Sequence, residues 1–247
     1  SEVATVSNKE ELFFENYNCR LILTKGGYFK KLSVQSVRAA DEHKLKEGDF
    51  IIYEEDTDNK GDVLFFTDKG QIYRVRVADF DISKPSQMGD YVAAKIGCDE
   101  DEHVVACKMV YELNPEHCMA YVFENGKIAK VELSTFETKS NRKKLTGAYS
   151  DKSALVKVVA MDADAQMVVY STDGRAAIFS TAQLLPKTTR NTQGVAVLSL
   201  KKKAVLSGAA LLAESGVVNE SRYRTKTIPS AGALLKEEDS PEKQQSF

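Results

Sequence analysis

The residues of this chain best suited to chemistry are its lysines and arginines, and the chemistry they suit is the holding of phosphate. Lys84, then Lys139, Arg142, Lys143 and Lys144 with Lys152 just beyond, then Lys187 with Arg190, all follow apolar hairpins in polar stretches. Lys201, Lys202 and Lys203 form a further cluster, and Arg222 with Arg224 another. Cations that recur at one position of a repeating chain can follow a polyanion backbone without reading its bases. Bond-making chemistry finds far less support. His43, His103 and His117 fall in expected loops with no nucleophile motif beside them, and no GxxxxGK[ST] phosphate loop is present. Cys98, His103, Cys107 and Cys118 match no zinc spacing, and Cys107 lies inside an apolar run. The expectation is a chain with no catalytic residues, no metal and no cofactor.

These cations must be positioned by the elements between them, and those elements repeat. Val63 to Phe80 reads as two short strands closed by Asp68-Lys69-Gly70. Glycine can take the positive φ that such a turn needs. The same shape recurs around Gly26-Gly27, Asn125-Gly126 and Asp173-Gly174, so the turn glycines 27, 70, 126 and 174 are 43, 56 and 48 residues apart. A second glycine follows each polar stretch, at 48, 89, 147 and 194. One hairpin cannot bury its own apolar face, and a period of about 40–50 residues with several strands per unit predicts propeller-like blades. Val195 to Leu200 would open a fifth, degenerate blade, and Ser207 to Glu214 would form a short helix. Tyr73, Tyr121 and Tyr170 sit in hairpin strands as core or flanking residues. In a closed ring of such blades the basic loops would share one rim.

Bulk properties narrow the class. The chain has 247 residues and is 43% hydrophobic, enough for one large all-β domain. No apolar run approaches the ~20 residues of a membrane helix. The four cysteines follow no framework, which suggests reduced thiols and a cytoplasmic setting. The net charge of −2 conceals a division. Residues 1–124 hold 15 Lys+Arg against 24 Asp+Glu, residues 125–230 hold 17 against 8, and residues 231–247 hold 2 against 4. The strongly basic stretch is a hint of a polyanion partner. The competing class is a protein-interaction propeller working through its acidic half. The chain opens Ser1-Glu-Val, read as a fragment: 1–19 a connector from a catalytic region, 20–230 the β domain, 231–247 an acidic, disordered tail.

The chain resembles the C-terminal domain of the A subunit of bacterial type IIA topoisomerases, the DNA gyrase and topoisomerase IV family. The resemblance is carried by Leu64-Phe-Phe-Thr-Asp-Lys-Gly-Gln-Ile-Tyr-Arg74, Phe123-Glu-Asn-Gly-Lys-Ile-Ala-Lys-Val131, Asn141-Arg-Lys-Lys144 and Thr188-Thr-Arg-Asn-Thr-Gln-Gly-Val195, over roughly residues 20–205. It implies an all-β fold, the β-pinwheel, a disc whose blades exchange a strand; about five are expected here. It implies a non-catalytic domain that bends or wraps duplex DNA on a basic rim and presents it to the cleavage core. The implied partners are duplex DNA and, in the full enzyme, the ATPase B subunit together with the rest of the A subunit. The implied setting is the bacterial nucleoid, and the isolated domain is expected to be monomeric. No tyrosine here inherits the family's strand-cleaving role, which belongs to another domain. The Gln-Arg-Arg-Gly-Gly-Lys-Gly box of gyrase has no match: the corresponding loops read Val37-Arg-Ala-Ala-Asp-Glu-His-Lys44 and Lys139-Ser-Asn-Arg-Lys-Lys-Leu-Thr-Gly147. That favours a protein of the topoisomerase IV type.

Overall fold

Four glycine-centred hairpins carry the architecture. The computed structural model describes residues 15–39, 43–114, 116–137 and 143–241. The hairpins are β1 (Asn18–Thr24) with β2 (Tyr28–Ser33), β4 (Asp62–Thr67) with β5 (Ile72–Arg76), β8 (Cys118–Phe123) with β9 (Lys127–Glu132), and β12 (Gln166–Ser171) with β13 (Arg175–Ser180). Their turn glycines 27, 70, 126 and 174 have φ of 89°, 70°, 86° and 75°, the left-handed region glycine enters without steric cost. An outer strand pairs antiparallel with the first strand of each hairpin. These are β3 (Ile51–Asp58), β7 (Val104–Val110), β11 (Leu155–Met161) and β15 (Leu206–Leu211). A two-residue strand completes each sheet on the other side: β6 (Asp90–Tyr91), β10 (Lys144–Leu145), β14 (Val195–Ala196) and β16 (Ala233–Leu234).

The sheet orders are β3-β1-β2-β6, β10-β5-β4-β7, β11-β8-β9-β14 and β15-β12-β13-β16. In every sheet the fourth strand therefore comes from the chain beyond that sheet's own hairpin and outer strand. This is the strand exchange expected of a pinwheel, and the fold is all-β with four propeller-like blades among the described residues rather than about five. Glycine makes the exchange possible. Gly89 and Gly194 sit at φ of 87° and 77°, just ahead of β6 and β14. A Cβ on them would lie 2.4 Å from the Phe29 carbonyl oxygen and 2.2 Å from that of Ile128. Gly232, ahead of β16, is the third of this kind, 3.0 Å from the Ala176 oxygen.

The chain divides into two compact units. One is formed by Ser1–Thr67, Ile72–Glu112 and Arg142–Lys144, the other by Asp68–Gln71, Leu113–Asn141 and Leu145–Phe247. The first unit is centred on Phe29, Phe65 and Phe80, whose ring centroids lie 4.6–5.9 Å apart, with Leu21, Leu23, Val63 and Met109 around them. In the second, Val122, Ile128, Met167, Val169, Phe179, Leu198 and Leu206 share one core, and Tyr121 stacks on Tyr149 at 4.7 Å. Each such side chain withdrawn from water contributes roughly 1.5–3 kcal/mol.

Buried lysines join neighbouring blades inside each unit. Four residues after the turn glycines stand Lys31, Arg74, Lys130 and Ile178. Lys31 is 1% exposed; its Nζ donates to Asn59 Oδ1 at 2.8 Å and the Val77 oxygen at 3.1 Å, beyond its own sheet. Lys130 is 7% exposed and donates to Asp164 Oδ1 at 2.6 Å and the Thr181 oxygen at 3.3 Å. Val77 and Thr181 hold the same place, the first residue after the hairpin's second strand. The two contacts are thus one device used twice. Arg74 instead pairs with Asp62 across its own hairpin, at 2.6 Å.

Several sequence expectations are corrected. No fifth blade starts at Val195: β14 is donated backward to β9, and residues 201–203 turn into β15. Residues 206–211 form that strand, because they complete the sheet beside β12, and helix is confined to Leu212–Ser215. β3 runs on through the acidic Glu54–Asp58, paired with β1 as far as Asn18. Residues 18 and 19 accordingly belong to the first sheet; residues 1–14 of the expected connector lie outside the described residues. Residues 233–241 are not a disordered tail. β16 pairs with β13, and Asp239, fully buried, accepts hydrogen bonds from Val218 N–H at 2.7 Å and Tyr223 Oη at 2.7 Å.

Candidate nucleic-acid interface

Between each of the last three hairpins and the strand that follows it in another sheet runs a crossover segment, and these segments display cations. Their backbones are pinned while their side chains are not. In the first unit, Ile82 bridges Lys31 in parallel, Ser83 N–H bonds the Lys31 oxygen at 2.8 Å, and the next residue is the exposed Lys84. Pro85 beside it accepts from Lys44 N–H at 2.8 Å and from the buried Lys30 ammonium at 3.3 Å. Burial holds the Lys30 pKa below its ordinary value. Lys143 is also exposed, with its carbonyl receiving Arg74 N–H at 2.7 Å.

In the second unit Lys187 occupies the place of Ser83. It bridges Val131, donates its N–H to the Lys130 oxygen at 2.8 Å and accepts Glu132 N–H at 3.1 Å, leaving its side chain in solvent. Arg190 follows, exposed, beside Asn191 at φ 62°. Arg224 takes the place of Ile82, bridging Ile178, and the exposed Lys226 lies two residues on, at the end of the basic patch Arg222–Lys226.

The remaining candidates separate into other environments. Lys144 lies on β10, half-buried, with Nζ 5.6 Å from the Tyr73 ring centroid. Arg224 donates to Gln166 Oε1 at 3.1 and 3.2 Å and to Glu220 at 3.0 Å, and Arg222 donates to the Leu234 oxygen at 2.8 Å. Both guanidiniums are exposed but partly committed. Lys152 and Lys201–Lys203 are exposed and belong to a different repeat position, the turn that leads into an outer strand. There Glu124 N–H bonds the Ala154 oxygen and Thr172 N–H the Val205 oxygen, both at 2.9 Å. Lys139 and Arg142 lie outside the described residues.

The opposite charge has its own place. The outer strand β3 exposes Glu54 and Asp56, with Arg20 bonding them at 2.9 and 2.6 Å. The Arg20 hydrogen bond holds the Asp56 carboxyl below the usual range. Among the described residues no three His, Cys, Asp or Glu side chains come together as a metal site. Burial raises all four thiols, Cys19 and Cys98 to about 11, which keeps them protonated and poorly nucleophilic at neutral pH. His117 Nδ1 lies 3.4 Å from Asp162, and no helix of the described residues is long and apolar enough to cross a membrane.

Comparison with known proteins gives a consistent picture. The family described as DNA gyrase C-terminal domain, beta-propeller, matches residues 21–53, 61–87 and 168–213. The A subunit of DNA topoisomerase 4 from Staphylococcus epidermidis is 28% identical over 204 residues, covering 81% of this chain and 25% of the relative. The Staphylococcus aureus protein of the same name is 23% identical with the same coverage. The chain thus spans about a quarter of the curated relatives it matches. Among solved structures, a C-terminal domain of DNA topoisomerase IV superposes with a TM-score of 0.69 at 21% identity, covering 83% of this chain and 64% of that one. A DNA gyrase A C-terminal domain gives 0.64 at 18% identity, covering 88% and 76%. The resemblance to the C-terminal domains of gyrase A and topoisomerase IV, and the fold it implied, are both borne out.

Proposed function

We propose that this chain is the non-catalytic, DNA-binding C-terminal domain of a type IIA topoisomerase, carried on its A subunit. It bends or wraps duplex DNA against its basic crossover segments and hands it to a cleavage core elsewhere in the protein. The observation that carries this reading is the repeated display of solvent-facing cations, Lys84, Lys143, Lys187 and Arg190, on crossover backbones fixed by hydrogen bonds. Cations displayed on fixed backbones suit the charge of a duplex backbone and give no base selectivity. The parent enzyme on this reading is ATP-dependent, works with a separate ATPase B subunit, and acts in the bacterial cytoplasm on the nucleoid. The missing gyrase box supports a topoisomerase IV type of activity over supercoiling.

The acidic outer strand β3, with Glu54 and Asp56 exposed, favours a second reading, a docking edge for a basic protein. Mobility shift separates the two. The DNA reading expects the domain to retard two duplexes of unrelated sequence alike, with micromolar affinity at moderate salt. Absence of binding to either duplex would leave the protein-docking reading in its place.

A further inference from the structure

The turn end of the first sheet carries an aromatic cleft that the other three sheets lack. Tyr28 opens β2 and Tyr91 closes β6; they are register partners, with ring centroids 5.7 Å apart and planes tilted by 54°. Tyr91 is 43% exposed and lies over the turn, its Cε2 3.4 Å from where a Cβ on Gly27 would be. Phe50, 50% exposed, leads into β3 and is held by its backbone alone: its carbonyl accepts Lys25 N–H at 2.8 Å, and its N–H bonds Asp49 Oδ1 at 2.8 Å. Lys25, Lys46, Glu47 and Asp49 join the two tyrosines around a cavity of about 510 Å³.

The corresponding register pairs in the third and fourth sheets are Lys127 with Ala196 and Arg175 with Leu234. In the second sheet the hydrogen bond of Ala148 N–H to the Gly70 oxygen, matching Val92 N–H to the Gly27 oxygen, puts Gln71 and Gly147 there. The position of Phe50 is held by Ala154 and Val205. Nothing in strand formation asks for a tyrosine pair here, since the other three sheets form without one. Exposed rings that the fold does not need mark a binding surface.

We propose that this cleft takes an unstacked base of single-stranded DNA, which Tyr91 stacks while Lys25 and Lys46 meet the adjoining phosphates. This rests on the nucleic-acid reading above but concerns a different form of DNA. Aromatic faces bind any base, and cations beside them follow the backbone. Asp49 stays charged, its Oδ1 accepting the N–H groups of Gly26 and Phe50 at 2.8 Å each, and with Glu47 it balances the two lysines, so ring stacking rather than net charge holds the base. The cleft is also continuous with a crossover segment: the chain carrying Lys84 runs through Gly89 directly into β6 and Tyr91.

The test is fluorescence anisotropy with a labelled oligothymidylate and, in parallel, a blunt duplex of mixed sequence. Stacking of one base on one ring is worth about 1–3 kcal/mol, so Tyr91→Ala should weaken oligothymidylate binding roughly tenfold and duplex binding less than twofold. Tyr91→Phe should bind as the parent does. Tyr91→Leu, which keeps an apolar side chain on β6 but has no ring, serves as the second variant should Tyr91→Ala loosen β6. Parent protein that binds duplex but no oligothymidylate would overturn the cleft and leave the proposed function standing. Equal weakening toward both probes, or no weakening in either variant without the ring, would also overturn it. Parent protein that binds neither would sink both readings.

Discussion

Lys31→Met tests whether a buried ammonium holds neighbouring blades together. Methionine keeps most of the length and apolar stem, so the change removes little packing. It deletes the donor to Asn59 Oδ1 at 2.8 Å and the Val77 oxygen at 3.1 Å, and the cation 5.2 Å from the Tyr17 ring. Both acceptor residues are buried, Asn59 at 4% exposure and Val77 at 0%, so water cannot replace the donor without rearrangement. An orphaned buried acceptor costs about 1–3 kcal/mol, and relief of the lysine's own desolvation returns part of the sum. The expected net loss is about 3 kcal/mol. Lys130→Met removes the equivalent ammonium, yet the Asp164 side chain it leaves is 48% exposed and can rehydrate. The loss there should be nearer 1–2 kcal/mol. Urea unfolding measures both, and with an m-value of about 2 kcal/mol/M the midpoints should fall by roughly 1.5 M and 0.5–1 M. A midpoint for Lys31→Met within 0.3 M of the parent (a shift of about 0.6 kcal/mol at that slope), or a larger loss for Lys130→Met, would refute the argument.

Three further outcomes are expected. Gly194→Ala should cost more than about 3 kcal/mol in thermal or urea unfolding, combining left-handed strain with a backbone clash at 2.2 Å, whereas Gly147→Ala, with nothing within 4 Å, should cost only the roughly 1–2 kcal/mol of the strain. For Glu102, burial pulls the carboxyl upward, but hydrogen bonds from Thr67, Tyr73 and Asp99 N–H outweigh it and hold the group below its ordinary value. The folded state then binds fewer protons than the unfolded chain, so this stabilisation is present above about pH 4.3 and is lost as pH falls through the lower folded value; Glu102→Gln should flatten that acid limb in pH-resolved unfolding. If the domain wraps DNA, ligating nicked circles in its presence should shift the mean linking number in proportion to bound protein, and an unshifted distribution at saturating protein would restrict it to binding without wrapping.

The hairpins were legible because a left-handed glycine between two β-forming runs has few other uses. Strand exchange was legible only through the resemblance, since β6, β10, β14 and β16 are two residues long and show no periodicity. The second glycine marker mixed two positions. Gly89 and Gly194 pass under a neighbouring strand, while Gly48 and Gly147 have nothing within 4 Å and serve elsewhere; Gly232, the true third member, has no hairpin of its own to reveal it. The run Glu54-Glu-Asp-Thr-Asp58 carries little strand signal, because acidic residues are poor strand formers. It is an outer strand whose carboxylates face water and Arg20. The burial of Lys31 and Lys130 follows from acceptors supplied by the next blade, which no local pattern records. Of the basic candidates, Lys84, Lys143, Lys187 and Arg190 lie on crossover segments; the clusters at Lys201 and Lys152 belong to a second position, the turns before the outer strands.

The central claim is that crossover cations hold the duplex by its phosphates, and the salt dependence of binding tests it most directly. Duplex affinity is measured against salt for the parent and for a Lys143→Glu, Lys187→Glu, Arg190→Glu variant. The three side chains are exposed, so the variant should stay folded. For the parent, log affinity should fall linearly with log salt, with a slope near −0.9 per phosphate neutralised. The variant should bind unrelated sequences equally weakly, with a slope shallower by roughly one unit for each phosphate it no longer touches. A folded variant with the parent's affinity and the parent's slope would contradict the account.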